Sequence, residues 1–257
     1  ELISPGDRIA VCISGGKDSM ILAKCIQHLQ KFSDFPFEAE YIVMDPGYNP
    51  ENRALIEENA KTLNIPVTIF ESDIFAASEH ASAEAPCYLC ARMRRGHLYA
   101  KAKELGCNKI ALGHHFDDVI ETTLMGMLYS GQFQTMMPKL HSENYEGMEI
   151  IRPLYMVKEA DIISWAKYNG LEFIQCACRF TENRTVDDEG VSNSKRQEMK
   201  ELISRFREIN PFIEYNIFRS MQNVQLEKLL AYKDGDTYHS FLDDYDNPNK
   251  DMKARRS

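Results

Sequence analysis

The sequence predicts an α/β protein, with a mostly parallel, doubly wound sheet and a C-terminal helical extension. Short β-like runs alternate with amphipathic helical patterns from Arg8 to Ile174, an arrangement typical of parallel strands between layers of helices. From about Val191 onward the pattern is helical and less regular, and it ends in a polar tail. We therefore expect one α/β domain over residues 1–180 and a helical extension with a polar tail over residues 181–257.

The first strands and helices follow from local patterns. Arg8–Ile13 is an apolar run that predicts a buried strand, and Ser19–Leu29 carries apolar residues at helical spacing. Tyr41–Met44 predicts a second strand that ends at an Asp-Pro-Gly turn signal. A helix over about Pro50–Leu63 begins with proline, which suits the first helical turn. Val67–Phe70 predicts the third strand.

The second half of the α/β part continues the alternation. Lys109–Leu112 predicts a fourth strand, and a helix follows over about Asp117–Tyr129. Met148–Arg152 predicts a fifth strand, and the helix Ala160–Tyr168 stops just before a glycine. Glu172–Ile174 is a candidate for a last strand.

Charge is distributed unevenly along the 257 residues. The net charge of −9 argues mildly against binding nucleic acid through its phosphates. Basic residues nevertheless cluster in one segment, at Arg92, Arg94, Arg95, Lys101 and Lys103. Acidic residues concentrate near the end, at Asp234, Asp236, Asp243, Asp244 and Asp246. Because the local potential matters more than the sum, a nucleic-acid partner stays open.

The compartment that we expect is the cytoplasm. No apolar run approaches the roughly 18 to 20 residues of a membrane-spanning helix, and no secretory signal is visible. The chain begins at Glu1, so we expect that an N-terminal piece precedes it. Seven cysteines, an odd number, predict reduced thiols or metal ligands rather than disulfides. Three of them, Cys12, Cys25 and Cys107, lie on apolar positions and predict ordinary core residues.

Polar residues follow three of the predicted strands. They are Ser14–Ser19, Asp45 and Gly113–Asp118. Ligands of parallel sheets bind outside the carboxyl ends of the strands. We therefore expect these three groups to lie along one edge of the sheet.

The loop Ser14–Ser19 (SGGKDS) has the composition of a phosphate site. Its two glycines allow backbone N–H groups to approach an anion, and the helix that follows adds positive potential at its N-terminus. Lys17 supplies a full positive charge, and Asp18 suits a bound Mg²⁺ that bridges phosphate and carboxylate oxygens. A plain structural turn, with Ser19 as the helix cap, is the alternative.

Two cysteine pairs are candidates for metal ligands. Cys87 and Cys90 open a predicted helix, next to the basic segment, and the second pair is Cys176 and Cys178. Four thiolates can form a closed, structural zinc site. Three can hold an iron–sulfur cluster and leave one iron open to another ligand. The residues alone leave both possibilities open.

Several motifs resemble known families. The loop SGGKDS resembles the PP-loop of the N-type ATP pyrophosphatases, and GHHFDD at 113–118 and IRPL at 151–154 are similar to their further signatures. The segment 87–118, beginning CYLCARMRR, resembles the tRNA 2-thiocytidine synthetases, as do MMPKL at 136–140 and SMQNV at 220–224. The longer stretch GDRIAVCISGGKDS at 6–19 also resembles these synthetases, so the motifs together span the chain from Gly6 to about Val224.

The resemblance implies a fold, a reaction and a set of cofactors. The fold is that of PP-loop ATPases, also described as adenine nucleotide alpha hydrolase-like, and it would make 1–180 the ATP-binding and catalytic domain. The reaction is ATP-dependent adenylation of the C2 oxygen of an anticodon-loop cytidine, followed by its replacement with sulfur delivered through a [4Fe–4S] cluster. The partners implied are tRNA and a sulfur donor such as a cysteine desulfurase or free sulfide, with no membrane, and a homodimer is common in the family.

The resemblance also assigns roles to residues. The residues implied in ATP and Mg²⁺ binding are Ser14, Gly15, Gly16, Lys17, Asp18, Ser19, Asp45 and His114. Those implied in catalysis are Lys17, Asp18, Asp118 and Arg94. Cys87, Cys90 and Cys178 are the implied cluster ligands. The spacing of the distal cysteines departs from the family pattern, so Cys176 is the alternative third ligand.

Three other functions use the same motifs. A tRNA-lysidine synthetase shares the PP-loop and the GHHFDD signature but needs no metal-binding cysteines. A small-molecule adenylating enzyme or sulfurtransferase, with a structural zinc site, would need no RNA partner. A non-enzymatic iron–sulfur or zinc protein would bind ATP as a regulatory ligand and release no pyrophosphate.

Overall fold

A computed structural model describes residues 1–72, 86–174, 195–243 and 245, and within 86–92 it describes the backbone only. The chain divides into two compact units, Glu1–Leu202 and Ile203–Ser257. The predicted boundary between residues 180 and 181 lies outside the described residues and stays a prediction. No helix of the described residues is long and apolar enough to cross a membrane.

The first unit is built on one sheet. Its strands are β1 (Arg8–Ile13), β2 (Glu38–Asp45), β3 (Val67–Glu71), β4 (Lys109–Ala111), β5 (Lys139–His141) and β6 (Glu149–Ile151). In space they run in the order β3-β2-β1-β4-β6-β5. All neighbours pair in parallel except β5, which is antiparallel to β6 at the edge. The prediction of a mostly parallel sheet is therefore confirmed.

Among the described residues, four helices lie between strands of this sheet in the chain, and two more follow its last strand. They are α1 (Lys17–Phe32), α2 (Pro50–Thr62), α3 (Pro86–Glu104), α4 (Phe116–Ser130), α5 (Glu159–Tyr168) and α6 (Lys195–Ile209), the last of which continues past Leu202. The start of α2 matches its sequence signal, because Pro50 follows Asn49, whose side chain accepts a hydrogen bond from the Asn52 N–H at 2.7 Å. Gly131 ends α4 in the left-handed conformation, at φ +61°.

The core lies on both faces of the sheet. Alternate residues of β1 divide between them, so that Ile9, Val11 and Ile13 pack in one apolar cluster and Ala10 and Cys12 in the other. The continuous burial of β1 is typical of a central parallel strand. Burial also raises the pKa of the Cys12 thiol to about 12, which leaves it protonated and unreactive.

The prediction for the isolated cysteines is confirmed for two of the three. Cys12 and Cys107 are buried core residues, whereas Cys25 is half-buried at the edge of a cluster.

Two parts of the fold differ from the sequence predictions. Glu172–Ile174 is not a strand: the Glu172 carbonyl accepts a hydrogen bond from the side chain of Asn59 at 2.7 Å, and Ile174 packs on the core. The edge strand β5 was not predicted, because three residues that are mostly exposed carry no alternating apolar pattern.

The second unit contains more than helices. Besides the end of α6 it has α7 (Ile213–Ser220) and a short 3₁₀ helix, Leu226–Lys228. A hairpin of β7 (Ala231–Asp234) and β8 (Thr237–Ser240) follows. The two-residue turn contains Gly235 at φ +58°, a conformation that suits such a turn.

Candidate active site

The candidate site lies where the chain order of the sheet reverses. From β1 the chain proceeds to β2 on one side, while β4 lies on the other side of β1. A crevice for ligands forms at such a point, outside the carboxyl ends of the strands. The loops that follow β1 and β4 meet there. A Cβ atom added to Gly113 would lie 3.0 Å from the carbonyl carbon and oxygen of Asp18 and 3.1 Å from the Ser19 nitrogen. The GHHFDD motif therefore packs directly on the SGGKDS loop.

The fold places different demands on the two glycines of the loop. Gly15 has φ +85°, and a Cβ there would lie 2.7 Å from side-chain carbons of Ile56 and Ile174. Backbone conformation and packing therefore both require glycine at position 15. Gly16 has φ −81°, and the nearest heavy atom to an added Cβ would be Ser14 Oγ, at 3.7 Å. No contact of the described residues requires glycine at position 16.

The serines of the loop fix its shape. The Ser14 N–H donates to Ser19 Oγ at 3.1 Å, and the Ser19 hydroxyl donates to the Gly16 carbonyl at 2.9 Å. Gly16 occupies the N-cap of α1, and Ser19 lies inside the first turn. The alternative in which Ser19 caps the helix is therefore wrong.

Lys17 is held by two carboxylates. Its Nζ lies 2.9 Å from Glu159 Oε1, on α5, and 3.2 Å from Asp18 Oδ1. Burial alone would lower the pKa of Lys17, but the hydrogen bond to Glu159 and the charge of Asp18 outweigh it and raise the pKa. Burial would likewise raise the pKa of Glu159, but the hydrogen bonds from Lys17 and Lys200 lower it to about 2. Both groups are therefore charged at neutral pH.

The acidic pair of GHHFDD has two separate structural roles. Asp117 accepts a hydrogen bond from the Glu159 N–H at 2.7 Å and so anchors the start of α5. Asp118 accepts one from the His115 N–H at 3.0 Å, at the start of α4. The buried His115 ring brings the two motifs together, because its Nε2 lies 3.5 Å from Asp118 Oδ2 and 3.8 Å from Asp18 Oδ1.

The first residues of α6 add two cations that the sequence analysis missed. Arg196 donates hydrogen bonds to Asp118 and, at 3.3 Å, to Glu121. Lys200 lies 3.1 Å from Glu159 Oε2. Burial raises the pKa of Glu121 to about 7, although Lys200 and Arg196 act to lower it. The spacing of Arg196 and Lys200, four residues apart on a helix, was the available signal, but it does not indicate which carboxylates they contact.

The two histidines of GHHFDD have different surroundings. His114 Nδ1 accepts a hydrogen bond from Arg152 Nε at 3.3 Å. Burial, together with the positive charge of Arg152, lowers the pKa of His114 to about 4, so its ring is neutral. The histidine that lies next to Asp18 is His115, which was not among the predicted site residues. A contact between His114 and the nucleotide stays a prediction.

Asp45 and Arg94 lie near the loop as well. Asp45 is buried at the end of β2, where its carboxylate accepts hydrogen bonds from the Gly47 and Tyr48 N–H groups at 2.8 and 2.7 Å. The Tyr48 hydroxyl donates to the Ser14 carbonyl at 3.4 Å. Burial raises the pKa of Tyr48, and the positive charge of Arg94 on α3 acts against this rise. Arg94 is therefore near Tyr48, which contacts the loop.

Comparisons with known proteins show the family of the chain. The family model for the PP-loop domain matches residues 3–181. The tRNA-cytidine(32) 2-sulfurtransferase of Syntrophotalea carbinolica is 36% identical over 231 residues, which cover 89% of this chain and 86% of that protein. The protein of the same name from Vibrio cholerae is 38% identical, over 87% of this chain and 69% of that protein. The chain belongs to the family of these tRNA-cytidine(32) 2-sulfurtransferases.

A solved structure supports the fold assignment of this sulfurtransferase family member. The U34-tRNA thiolase NcsA from Methanococcus maripaludis, with its [4Fe-4S] cluster, superposes with a TM-score of 0.66. The match covers 87% of this chain and 74% of NcsA, at 19% identity, so it bears on the fold alone. The predicted fold class and the resemblance to the PP-loop thiocytidine synthetases are both confirmed.

The candidate site has an oxygen suited to Mg²⁺. Asp18 Oδ1 is buried and accepts no hydrogen bond from the described residues, although Lys17 and His115 lie near it. No group of three or more His, Cys, Asp and Glu side chains in the described part of the chain is arranged to hold a metal. Mg²⁺ in nucleotide sites commonly takes one or two carboxylates and completes its shell with phosphates and water. The donor set around Asp18 fits that pattern.

The four cysteines of the two candidate ligand pairs lie outside the described side chains. Cys87 and Cys90 occupy the first turn of α3, where only the backbone is described. Cys176 and Cys178 lie outside the described residues. The choice between an iron–sulfur and a zinc site, and the identity of the third ligand, both stay predictions.

Proposed function

We propose that this protein is an ATP-dependent tRNA sulfurtransferase that replaces the C2 oxygen of a cytidine in the anticodon loop with sulfur. The relatives named tRNA-cytidine(32) 2-sulfurtransferase support the substrate. The single observation that carries the reaction is the close approach of Lys17, Asp18, His115 and Asp118 at the reversal point of the sheet. This arrangement places a cation, a metal-binding oxygen and a second carboxylate around one position.

Adenylation solves the central chemical difficulty of the reaction. Oxide is a poor leaving group, so the C2 oxygen first attacks the α-phosphorus of ATP and pyrophosphate departs. Sulfur then adds at C2, and the oxygen leaves as part of AMP. One difficult substitution becomes two easier steps.

The residues of the loop would hold the phosphates. The N–H groups of Gly15 and Gly16 and the start of α1 provide donors and positive potential for an anion. Lys17 would counter the charge that develops on pyrophosphate, and Asp18 would hold Mg²⁺. Ser14 and Ser19 fix the shape of the loop through hydrogen bonds within it.

The flanking residues would position the adenosine and the base. We assign Asp45 and His114 to the ATP site, and Asp118 and Arg94 to the catalytic step, where they would orient the cytidine and balance charge. The neutral ring of His114 can donate or accept a hydrogen bond without adding charge. Extrusion of the cytidine from its stack is required for chemistry on the base.

A [4Fe–4S] cluster is the proposed sulfur carrier. Cys87, Cys90 and either Cys178 or Cys176 would be its ligands. When it is bound, a cluster with one open iron supplies sulfur in a nucleophilic form. The position of Cys87 and Cys90 at the N-terminus of α3 supports this role, because a helix N-terminus lowers the pKa of nearby thiols.

The remaining partners belong to the same proposal. They are tRNA, a sulfur donor such as a cysteine desulfurase or free sulfide, and a second copy of the chain as a homodimer. We place the protein in the cytoplasm, where its tRNA substrate is found.

The deciding experiment is nucleoside analysis of tRNA from a strain that lacks the gene. We expect loss of 2-thiocytidine and its return when the wild-type gene is supplied. Lys17→Ala should fail to restore it, whereas Lys167→Ala, at an exposed position of α5, should restore it fully. An unchanged set of thiolated nucleosides in the deletion strain would contradict the proposed function.

A further inference from the structure

Glu159 contacts the phosphate-site lysine although it lies outside the loop. Its Oε1 accepts a hydrogen bond from Lys17 Nζ at 2.9 Å, which is shorter than the 3.4 Å bond from Lys17 to Asp18 Oδ2. A carboxylate and a phosphate oxygen present the same kind of acceptor to an ammonium group. Glu159 therefore takes one of the three N–H donors of the Lys17 ammonium, and a phosphate at Lys17 would compete for the same group.

A second lysine also binds the same carboxylate. Lys200, on α6, donates to Glu159 Oε2 at 3.1 Å and to Oε1 at 3.4 Å. The Glu159 side chain is only 23% exposed, so loss of Lys17 without another cation would leave a poorly solvated negative charge. Lys200 is already placed to prevent this.

We propose that the Glu159 carboxylate binds the Lys17 ammonium in the place of a phosphate. When a phosphate of ATP binds Lys17 instead, Lys200 keeps its ion pair with Glu159. This inference rests on the proposed function, because it assumes that Lys17 binds ATP phosphates. Glu159 and Lys200 are positioning residues: they set how readily Lys17 is released and touch none of the reacting atoms. The exchange leaves Lys17 and Glu159 each paired with an opposite charge before and after nucleotide binding.

The test measures the affinity of the full-length protein for α,β-methylene-ATP with Mg²⁺ by calorimetry. This analogue cannot be cleaved between its α- and β-phosphates, so binding is separated from chemistry. Partly exposed ion pairs change an equilibrium constant by up to about five-fold. We therefore expect Glu159→Gln to tighten binding, and Lys200→Met to weaken it, by up to about five-fold each.

A double variant separates the exchange from simple attraction between Lys200 and the phosphates. Since neutral Gln needs no cation, Lys200→Met should have little further effect in the Glu159→Gln background. Lys195→Met is the matched control: it removes one positive charge from the same helix, where the ammonium lies over the Tyr129 ring, and it should leave affinity unchanged.

Three results would overturn the inference, and the third would also contradict the proposed function. Equal weakening by Lys200→Met in both backgrounds would mean that Lys200 acts by simple attraction. Unchanged or weaker binding by Glu159→Gln would mean that Glu159 does not compete with phosphate. Failure of the wild-type protein to bind the analogue at all would instead remove the proposed function together with this inference.

Discussion

Substitution of Gly16 by alanine separates the needs of the fold from the needs of a ligand. An added Cβ would have Ser14 Oγ as its nearest neighbour, at 3.7 Å, which is an ordinary van der Waals distance. The backbone at φ −81° suits alanine. Loss of glycine at a helix N-cap costs about 0.5 to 1 kcal/mol. The reduced freedom of the unfolded chain offsets about 0.4 to 1 kcal/mol of this.

The expected stability of Gly16→Ala is therefore close to that of the wild type. A net change within about 0.5 kcal/mol corresponds to roughly 2 °C in the melting temperature for a chain of this size. The affinity of Gly16→Ala for ATP should change far more than its stability. A methyl group where a phosphate contacts the backbone N–H would weaken ATP binding about ten-fold or more, as misplaced methyl groups do in fitted pockets.

The assay combines calorimetric melting with titration of α,β-methylene-ATP and Mg²⁺. Gly15→Ala serves as the contrast, because its positive φ and the 2.7 Å contacts with Ile56 and Ile174 should destabilise the fold by about 2 to 4 kcal/mol. Gly96→Ala, within α3 and with open space around the added Cβ, should leave ATP affinity unchanged and raise stability by about 0.5 to 1 kcal/mol, because alanine suits a helix interior better than glycine. Wild-type affinity in a stable Gly16→Ala protein would refute the placement of phosphate against this loop.

Three other predictions test separate parts of the site. Asp118→Asn should bind the ATP analogue with an affinity within about three-fold of the wild type, but its thiolation activity should fall about 100-fold or more. Mass spectrometry of tRNA nucleosides measures this activity, and full activity would remove Asp118 from the mechanism. Burial raises the pKa of Glu121 to about 7, so the folded protein keeps a proton that the unfolded chain loses near pH 4.5. The free energy of unfolding should therefore fall as the pH rises from about 4.5 to 7. Glu121→Gln should lack this fall in urea unfolding, and parallel pH profiles would contradict the raised pKa. Protein purified without oxygen should be brown, and Cys87→Ala or Cys90→Ala should abolish the colour; colourless wild-type protein with one tightly bound zinc would refute the cluster.

Local patterns in the sequence determined most of the fold. Strand β1 and helix α1 are readable because apolar residues recur continuously in one and at helical spacing in the other. The PP-loop is readable because its residues are contiguous, so their order alone indicates a phosphate site. The family resemblance rests on the same contiguous motifs, and it is confirmed over most of the chain.

The tertiary structure decided which charged groups meet. Glu159 lies 142 residues from Lys17 in the sequence, and Arg196 lies 78 residues from Asp118, so no local pattern could pair them. It also separated neighbours: His115, rather than His114, approaches Asp18, because successive side chains of an extended backbone point to opposite sides. A sequence therefore specifies its elements through short-range periodicity, whereas the partners of each charged side chain depend on how the elements pack.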